Sequence, residues 1–135
     1  MNGTSERLRE IFRNAGVVVA YLFGSRARGG ARESSDADVA VLLEGRRGLL
    51  EQEALADQLG RVMGVPDVDL IVLDEAPLEM RGRVVQEGRV LFSADEARRV
   101  AFEVLTRSQY FDFLPTLEAH TRRYLQQVAR EGLRG

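Results

Sequence analysis

Two aspartate pairs are the residues of this sequence whose types and spacing most clearly suggest chemistry. Asp36 and Asp38 are separated by one residue, and so are Asp67 and Asp69. Each pair opens an apolar run of the kind that forms a strand. Because side chains alternate along a strand, the two members of each pair should point to the same face. If the two strands are neighbours, three or four carboxylates converge on a small area.

Converging carboxylates create an electrostatic conflict that a cation can remove. Like charges at short distance raise one another's pKa values, and a hard divalent cation neutralises them. The chain has no cysteine and no histidine near these aspartates, so oxygen ligands favour magnesium or manganese over zinc. Magnesium usually keeps several waters and takes its remaining ligands from phosphate oxygens. The aspartates therefore predict a site for a metal-bound phosphate compound.

A glycine–serine step supplies the second half of such a site. Gly24 and Ser25 directly follow an apolar, β-branched run, and ten residues separate them from the first aspartate pair. Glycine lets the backbone approach a ligand closely, and backbone N–H groups at a helix start can bind phosphate. The Ser25 hydroxyl and the guanidinium groups of Arg26 and Arg28 could contact phosphate oxygens as well. The combination predicts a site for a metal–nucleoside triphosphate complex.

Each of these features also has a purely structural interpretation. Two aspartates one residue apart are expected by chance, although a glycine–serine step ten residues earlier makes the pattern uncommon. Asp67 is equally well explained as a turn residue at the edge of a strand. The arginines between Arg26 and Arg32 form, most simply, a solvated loop, and phosphate contact gains weight only beside the carboxylates.

The elements that must position these residues follow from hydropathy and turn signals. The expected order is α-β-α-β-α-β-α-β-α-α, which indicates an α/β or α+β layered domain with a helical tail. One helix is expected between the first two strands, and Pro115 is expected to break or restart the last helical segment. The four expected strands cover residues 17–23, 36–43, 67–73 and 89–92.

Length and composition fit one ordinary domain. With 135 residues, 44% hydrophobic and 30% charged, the chain suits a single domain over residues 1–135. We expect a catalytic core at about 1–93 and a helical tail at about 94–135. The sequence shows no membrane-spanning run and no apolar leader, and the absence of cysteine excludes disulfides and thiol catalysis. These features predict a cytoplasmic protein.

The charged residues exclude several further classes of binding site and catalysis. The net charge is −2, which argues against a strongly basic nucleic-acid binder. All 19 cationic side chains are arginine, so Schiff-base lysine chemistry and a P-loop lysine are excluded. Any anion must therefore be bound by guanidinium groups, backbone N–H groups or a metal.

The glycine–serine step and the first aspartate pair together carry a family resemblance. Gly24-Ser25, ten further residues and Asp36-Ala37-Asp38 at the start of a strand resemble the signature of the DNA polymerase β-like nucleotidyltransferase superfamily. The segment from Phe23 to Gly29 resembles its small stand-alone members, the minimal nucleotidyltransferases. The segment 68–73 resembles the strand that carries their third carboxylate. The resemblance covers roughly residues 17–92.

The resemblance implies a polymerase β-like fold, which is a small mixed sheet flanked by helices. It implies transfer of a nucleotidyl group from a nucleoside triphosphate to a hydroxyl, with release of pyrophosphate. Asp36 and Asp38 would hold two magnesium ions. Asp69 would bind one of these ions and help to deprotonate the acceptor hydroxyl. Gly24, Ser25, Arg26 and Arg28 would contact the nucleotide.

The resemblance also implies a partner. Many members with the form Gly-Ser-Arg-Ala-Arg-Gly are antitoxins of an all-helical HEPN ribonuclease toxin and add AMP from ATP to a toxin tyrosine. A protein adenylyltransferase antitoxin in a hetero-oligomeric complex is therefore expected. Two alternatives stay open: a nucleotidyltransferase acting on a small-molecule hydroxyl, and a non-catalytic antitoxin that acts by binding alone. The chain is too short for a separate nucleic-acid domain, so direct nucleic-acid binding is not expected.

The helical tail is the expected partner surface. Residues 97–135 contain seven arginines and four acidic residues, which makes the tail positive and the rest of the chain negative. Aromatic residues lie among these arginines, and arginine and aromatics are enriched at interface hot spots. The alternative is an amphipathic tail that packs only on its own domain. A partner surface predicts that Phe111 or Tyr124 is partly exposed in the isolated chain.

Overall fold

A computed structural model describes residues 3–24 and 36–134 of the chain. Four strands and four α-helices form its regular structure, with a short 3₁₀ turn at Leu73–Glu75. In chain order these elements are α1 (Gly3–Asn14), β1 (Val17–Phe23), β2 (Ala37–Leu43), α2 (Leu49–Met63), β3 (Val68–Val72), α3 (Leu78–Glu87), β4 (Arg89–Ser93) and α4 (Glu96–Arg134). The predicted mixed α/β class is confirmed.

The strands form one mixed sheet in the order β3-β2-β1-β4. β1 pairs antiparallel with β2 on one side and with β4 on the other, while β2 and β3 are parallel. The parallel pair requires a crossover, and α2 makes it. This order places the two aspartate-bearing strands side by side at one edge of the sheet.

Both faces of the sheet are covered, which explains the nearly continuous apolar sequence of its central strands. On one face, Phe12 of α1 and Leu59 of α2 pack against strand residues that include Val39 and Val41. All four side chains are fully buried. Val39 and Val41 therefore anchor β2 in the core. On the other face lie α3 and the first part of α4. Phe102 of α4 packs against the buried residues of this face.

A polar contact joins α4 to the centre of the sheet. The buried Tyr21 hydroxyl of β1 donates a 2.8 Å hydrogen bond to a Glu103 carboxylate oxygen, and Arg99 contacts the same oxygen at 3.0 Å. Burial and the Glu103 carboxylate raise the pKa of Tyr21, so its hydroxyl remains a donor. Close approach of the neighbouring helices depends on Gly82 of α3, because a Cβ there would collide with the Tyr110 ring. The first part of α4 is thus fixed to the body of the molecule.

The helical tail differs from its prediction. Two helices separated at Pro115 were expected, but α4 runs without interruption from Glu96 to Arg134 and contains this proline. A helical proline removes one backbone donor and crowds the carbonyl four residues earlier, here that of Phe111. Both residues are exposed, so water can bond the carbonyl that the proline frees. The helix expected between the first two strands falls within 25–35, outside the described residues.

Candidate active site

Neighbouring strands bring Asp38 and Asp69 side by side. Asp38 of β2 is the register partner of Asp69 in the parallel strand β3. On its other side, Asp38 is the register partner of Phe23 at the end of β1. Register partners on adjacent strands point to the same face, so these three side chains form a row across the sheet. The row lies on the face covered by α3 and α4, beyond the part that these helices bury.

The electrostatics of this row are those of crowded carboxylates. Partial burial raises the pKa of Asp38, and the negative charges of Asp69 and Asp36 raise it further. A hydrogen bond with the Asp69 side chain acts in the same direction. Each cause disfavours a second negative charge at this position. The ionised pair is therefore unfavourable unless a positive charge comes close.

Gly24 brings the end of β1 directly against this pair. Its φ of 77° lies in the left-handed region that favours glycine. A Cβ at this position would also collide with the Asp38 carboxylate. Both the backbone turn and the close approach require glycine, so the chain leaves the sheet beside the carboxylates.

The other two aspartates do not join this row. Asp36 immediately precedes β2, and Asp67 precedes β3, where its Oδ1 accepts a 3.0 Å hydrogen bond from the Val68 backbone N–H. This bond fits the structural interpretation of Asp67 as a turn residue. Among residues 3–24 and 36–134, no three acidic or histidine side chains are grouped closely enough to form a metal site. The charge of Asp36 nevertheless raises the pKa of Asp38, so the sharing of one metal site by Asp36, Asp38 and Asp69 stays a prediction.

The remaining site predictions concern the segment after Gly24. Ser25, Arg26 and Arg28 lie outside the described residues, so their contacts with a nucleotide stay predictions. The carboxylate row has the donor chemistry of a magnesium site, namely hard oxygen ligands and crowded negative charge, and phosphate oxygens commonly complete such a coordination shell. The residues present therefore fit a divalent cation held by Asp38 and Asp69, with Asp36 nearby.

Sequence reasoning missed a pocket beside the row. A cavity of about 140 Å³ lies between the end of β1 and α3. It is lined by Phe23, Gly24, Met80, Arg83 and Glu87. The first two of these residues also adjoin Asp38, so the pocket borders the carboxylate row. Nothing in the local sequence of α3 marks Arg83, because its position depends on how this helix docks on the sheet.

The family model described as polymerase beta, nucleotidyltransferase matches residues 6–97. The chain belongs to this nucleotidyltransferase family. The matched segment contains all four strands and ends at the beginning of α4. It includes Gly24, Asp36, Asp38 and Asp69. The predicted polymerase β-like fold is confirmed.

Similar solved structures of this nucleotidyltransferase family come from toxin–antitoxin complexes. A toxin–antitoxin structure with AMP-PNP is 27% identical to this chain, with a TM-score of 0.72, and the match covers 92% of this chain and 97% of that one. A structure of the tri-AMPylated Shewanella oneidensis HEPN toxin in complex with MNT antitoxin matches at 25% identity with a TM-score of 0.68. The match covers 93% of this chain and 95% of that one. An MntA–HepT toxin–antitoxin structure gives 25% identity and a TM-score of 0.67, covering 93% and 96%.

The predicted resemblance to minimal nucleotidyltransferases of toxin–antitoxin systems is confirmed by these structures. No curated protein sequence matches the chain significantly. In the part of the chain that the structure describes, no helix is long and apolar enough to cross a membrane.

Beyond the part matched by the nucleotidyltransferase family model, the second half of α4 leaves the body of the molecule. Every residue from His120 to Gly132 is exposed. Phe111 is 58% exposed and Tyr124 65% exposed, as the partner-surface hypothesis predicts. Leu125 and Val128 add further exposed apolar area to the same segment. Exposed apolar side chains grouped in this way are typical of interaction surfaces.

Proposed function

We propose that this nucleotidyltransferase is a magnesium-dependent protein adenylyltransferase and the antitoxin of a toxin–antitoxin pair. It transfers AMP from ATP to a tyrosine hydroxyl of a partner HEPN ribonuclease toxin and thereby silences the toxin. The observation that carries the proposal is the pairing of Asp38 with Asp69 directly against Gly24. This arrangement puts a crowded carboxylate pair beside the backbone turn that would receive a triphosphate.

In the proposed reaction, the acceptor hydroxyl oxygen attacks the α-phosphorus of ATP. The bond from this phosphorus to the oxygen that bridges to the β-phosphate breaks, and pyrophosphate leaves with the electron pair. Asp69 accepts the hydroxyl proton and, with Asp36 and Asp38, would hold two divalent ions. When bound, magnesium or manganese would lower the pKa of the hydroxyl and offset the charge of the leaving pyrophosphate.

The chain's remaining site residues bind and orient the nucleotide in this proposal. Gly24 leaves room for the phosphates, and Ser25 contributes its hydroxyl and backbone N–H. Arg26 and Arg28 provide forked donors for phosphate oxygens. Orientation of this kind brings the α-phosphorus in line with the acceptor oxygen, which is where much of the rate enhancement in nucleotidyl transfer originates.

The solved relatives support both the substrate and the partner. One contains AMP-PNP, an ATP analogue, and another contains a toxin that carries three AMP groups. A further MntA–HepT structure carries glutamate in place of two aspartates that are one residue apart, which is the spacing of Asp36 and Asp38. The partner proposed here is accordingly a HEPN-type toxin, and the complex is proposed to act in the cytoplasm.

Incubation with ATP labelled at the α-phosphate, magnesium and a HEPN toxin encoded beside this chain's gene tests the proposal. We expect label on a toxin tyrosine, loss of labelling in EDTA, and loss of ribonuclease activity in the labelled toxin. Asp69→Asn should abolish labelling, while Asp67→Asn, the matched control two residues earlier, should retain it. Toxin neutralisation without label would favour an antitoxin that acts by binding alone, and label on a small molecule would favour the other alternative.

A further inference from the structure

The pocket between β1 and α3 borders the carboxylate row. Its α3 residues have no role in the reaction proposed above. Phe23 and Met80 give it an apolar wall, and both also pack against the core on this face of the sheet. Gly24 forms its boundary with the Asp38 carboxylate. A ligand group in this pocket would therefore lie close to the Asp38 carboxylate.

Arg83 is the cation of this pocket. It is exposed on α3 and makes no hydrogen bond or ion pair with the residues that the structure describes. Arg81, on the same helix, is different, because its guanidinium donates a 2.7 Å hydrogen bond to the Ala76 carbonyl. Glu87 also lines the pocket, so the cation stands beside one carboxylate. The Arg83 guanidinium is thus available for an anion that enters from the carboxylate side.

A triphosphate approaching this site meets several unfavourable charges, among them those of Asp38 and Asp69. The chain contains no lysine, so arginine side chains must offset this repulsion, and Arg83 would add to the proposed donors Arg26 and Arg28. We infer that Arg83 is a nucleotide-binding residue that contacts a phosphate group of ATP in the pocket between β1 and α3. This inference rests on the proposed function, since ATP is the nucleotide which that function requires.

Calorimetric titration of the whole chain in magnesium buffer tests this inference with three probes: AMP-PNP, inorganic tripolyphosphate and adenosine. Arg83→Gln should weaken the binding of AMP-PNP and of tripolyphosphate by about tenfold, which is the effect of losing one charge-assisted hydrogen bond. The affinity for adenosine should stay unchanged. Arg83→Lys should recover part of the loss, because it keeps the charge without the fork. Arg61→Gln is the matched control, an exposed arginine of α2 on the opposite face of the sheet. It should bind all three probes as the wild type does.

Three results would overturn the inference. If Arg83→Gln binds AMP-PNP as the wild type does, Arg83 makes no contact with the nucleotide, and the proposed transfer reaction is unaffected. If Arg83→Gln binds adenosine more weakly and tripolyphosphate as the wild type does, Arg83 contacts the nucleoside part instead of the phosphates. If the wild type binds neither AMP-PNP nor tripolyphosphate, both the inference and the proposed function fail. Unchanged thermal melting of Arg83→Gln, measured by circular dichroism, shows that any lost affinity is local.

Discussion

The sheet and the outer half of α4 use similar apolar residues in opposite ways. In the sheet, Val39 and Val41 are completely buried between helices and neighbouring strands. In the outer half of α4, Tyr124 is 65% and Leu125 59% exposed. The residue types are comparable, so the difference lies in what the fold places opposite them. The sheet is a self-sufficient core, while the outer helix has an apolar surface that residues 3–24 and 36–134 leave uncovered.

The sheet carries the candidate catalytic residues, and the outer half of α4 carries the expected partner surface. The carboxylate row and Gly24 depend on a rigid sheet, because strand register alone aligns Asp38 with Asp69. Recognition of a partner needs an accessible surface, which the outer part of α4 offers with its arginines and exposed aromatics. A helix held only by its own backbone hydrogen bonds is of marginal stability in water, since most helical stability comes from packing. Partner binding should therefore stabilise this part of the chain most.

The largest effect should come from removing a carboxylate of the row. Asp38→Ala should reduce AMP transfer by at least about a thousandfold, because the charge that would hold the divalent ions is lost. The melting temperature should stay the same or rise, since the substitution also removes a repelling charge. Radiolabel transfer and thermal melting measure the two effects. Full activity of this variant would show that the row is not the catalytic centre.

A second substitution measures how far the sheet depends on its own core. Phe12 is fully buried and stacks on Phe92 with 5.5 Å between ring centroids. Phe12→Ala should lower the free energy of unfolding by about 3–5 kcal/mol, since it removes a buried ring and leaves a cavity. Urea denaturation measures this loss. A change below about 1 kcal/mol would mean that this core is not close-packed.

Removing the outer helix should weaken partner binding but leave nucleotide binding and thermal stability unchanged. A chain that lacks residues 117–135 should bind its partner about a hundredfold more weakly, because the exposed aromatic and arginine side chains resemble interface hot spots. Its ATP affinity and melting temperature should remain close to those of the whole chain. Partner titration by surface plasmon resonance and thermal melting provide the comparison. Unchanged partner affinity would make the tail a brace for its own domain and place the docking surface elsewhere.

The smallest effect concerns the start of α4. The Arg99 guanidinium bonds Glu96 at 2.7 Å and lowers the pKa of that carboxyl to about 2. A lowered pKa means that the ionised form stabilises the folded state. This contribution is complete above the ordinary pKa of glutamate and disappears as the pH falls toward 2. Glu96→Gln should therefore melt slightly below the wild type at pH 7.

The difference between Glu96→Gln and the wild type should shrink as the pH falls from about 4.5 to about 2. Glu53→Gln, at an exposed glutamate of α2, is the control and should melt as the wild type does at pH 7. Thermal melting across this pH range gives the measurement. A difference that grows on acidification would contradict the assigned direction.

Local patterns predicted the individual strands well. All four expected strands are present, and β1 has the expected limits because its apolar run ends at Gly24. β2 and β3 each begin one residue later than expected, at Ala37 and Val68. Hydropathy cannot locate a strand end within an aspartate-rich turn, since pairing with the neighbouring strand decides it. The same pairing makes Asp69, instead of Asp67, the neighbour of Asp38.

Long-range packing limited the other predictions. Pro115 is a strong helix-breaking signal, yet exposure at this position lets water compensate for the missing bond, and α4 continues. Arg83 has no local motif, because the docking of α3 on the sheet brings it to the pocket at the end of β1. The family resemblance located the carboxylate-bearing strands, whereas the pocket beside them depends on tertiary structure.

The pairing of β4 with β1 has a consequence for synthesis of the chain. β1 is an inner strand, but one of its edges is completed only by β4, which begins at Arg89. At ordinary rates of translation, the ribosome needs roughly 3–13 s to make the residues between Phe23 and Arg89. During this interval a nascent chain presents an apolar strand with an unpaired edge, which favours pairing with other chains. Release of the newly made protein without aggregation therefore depends on how soon residues 89–93 emerge.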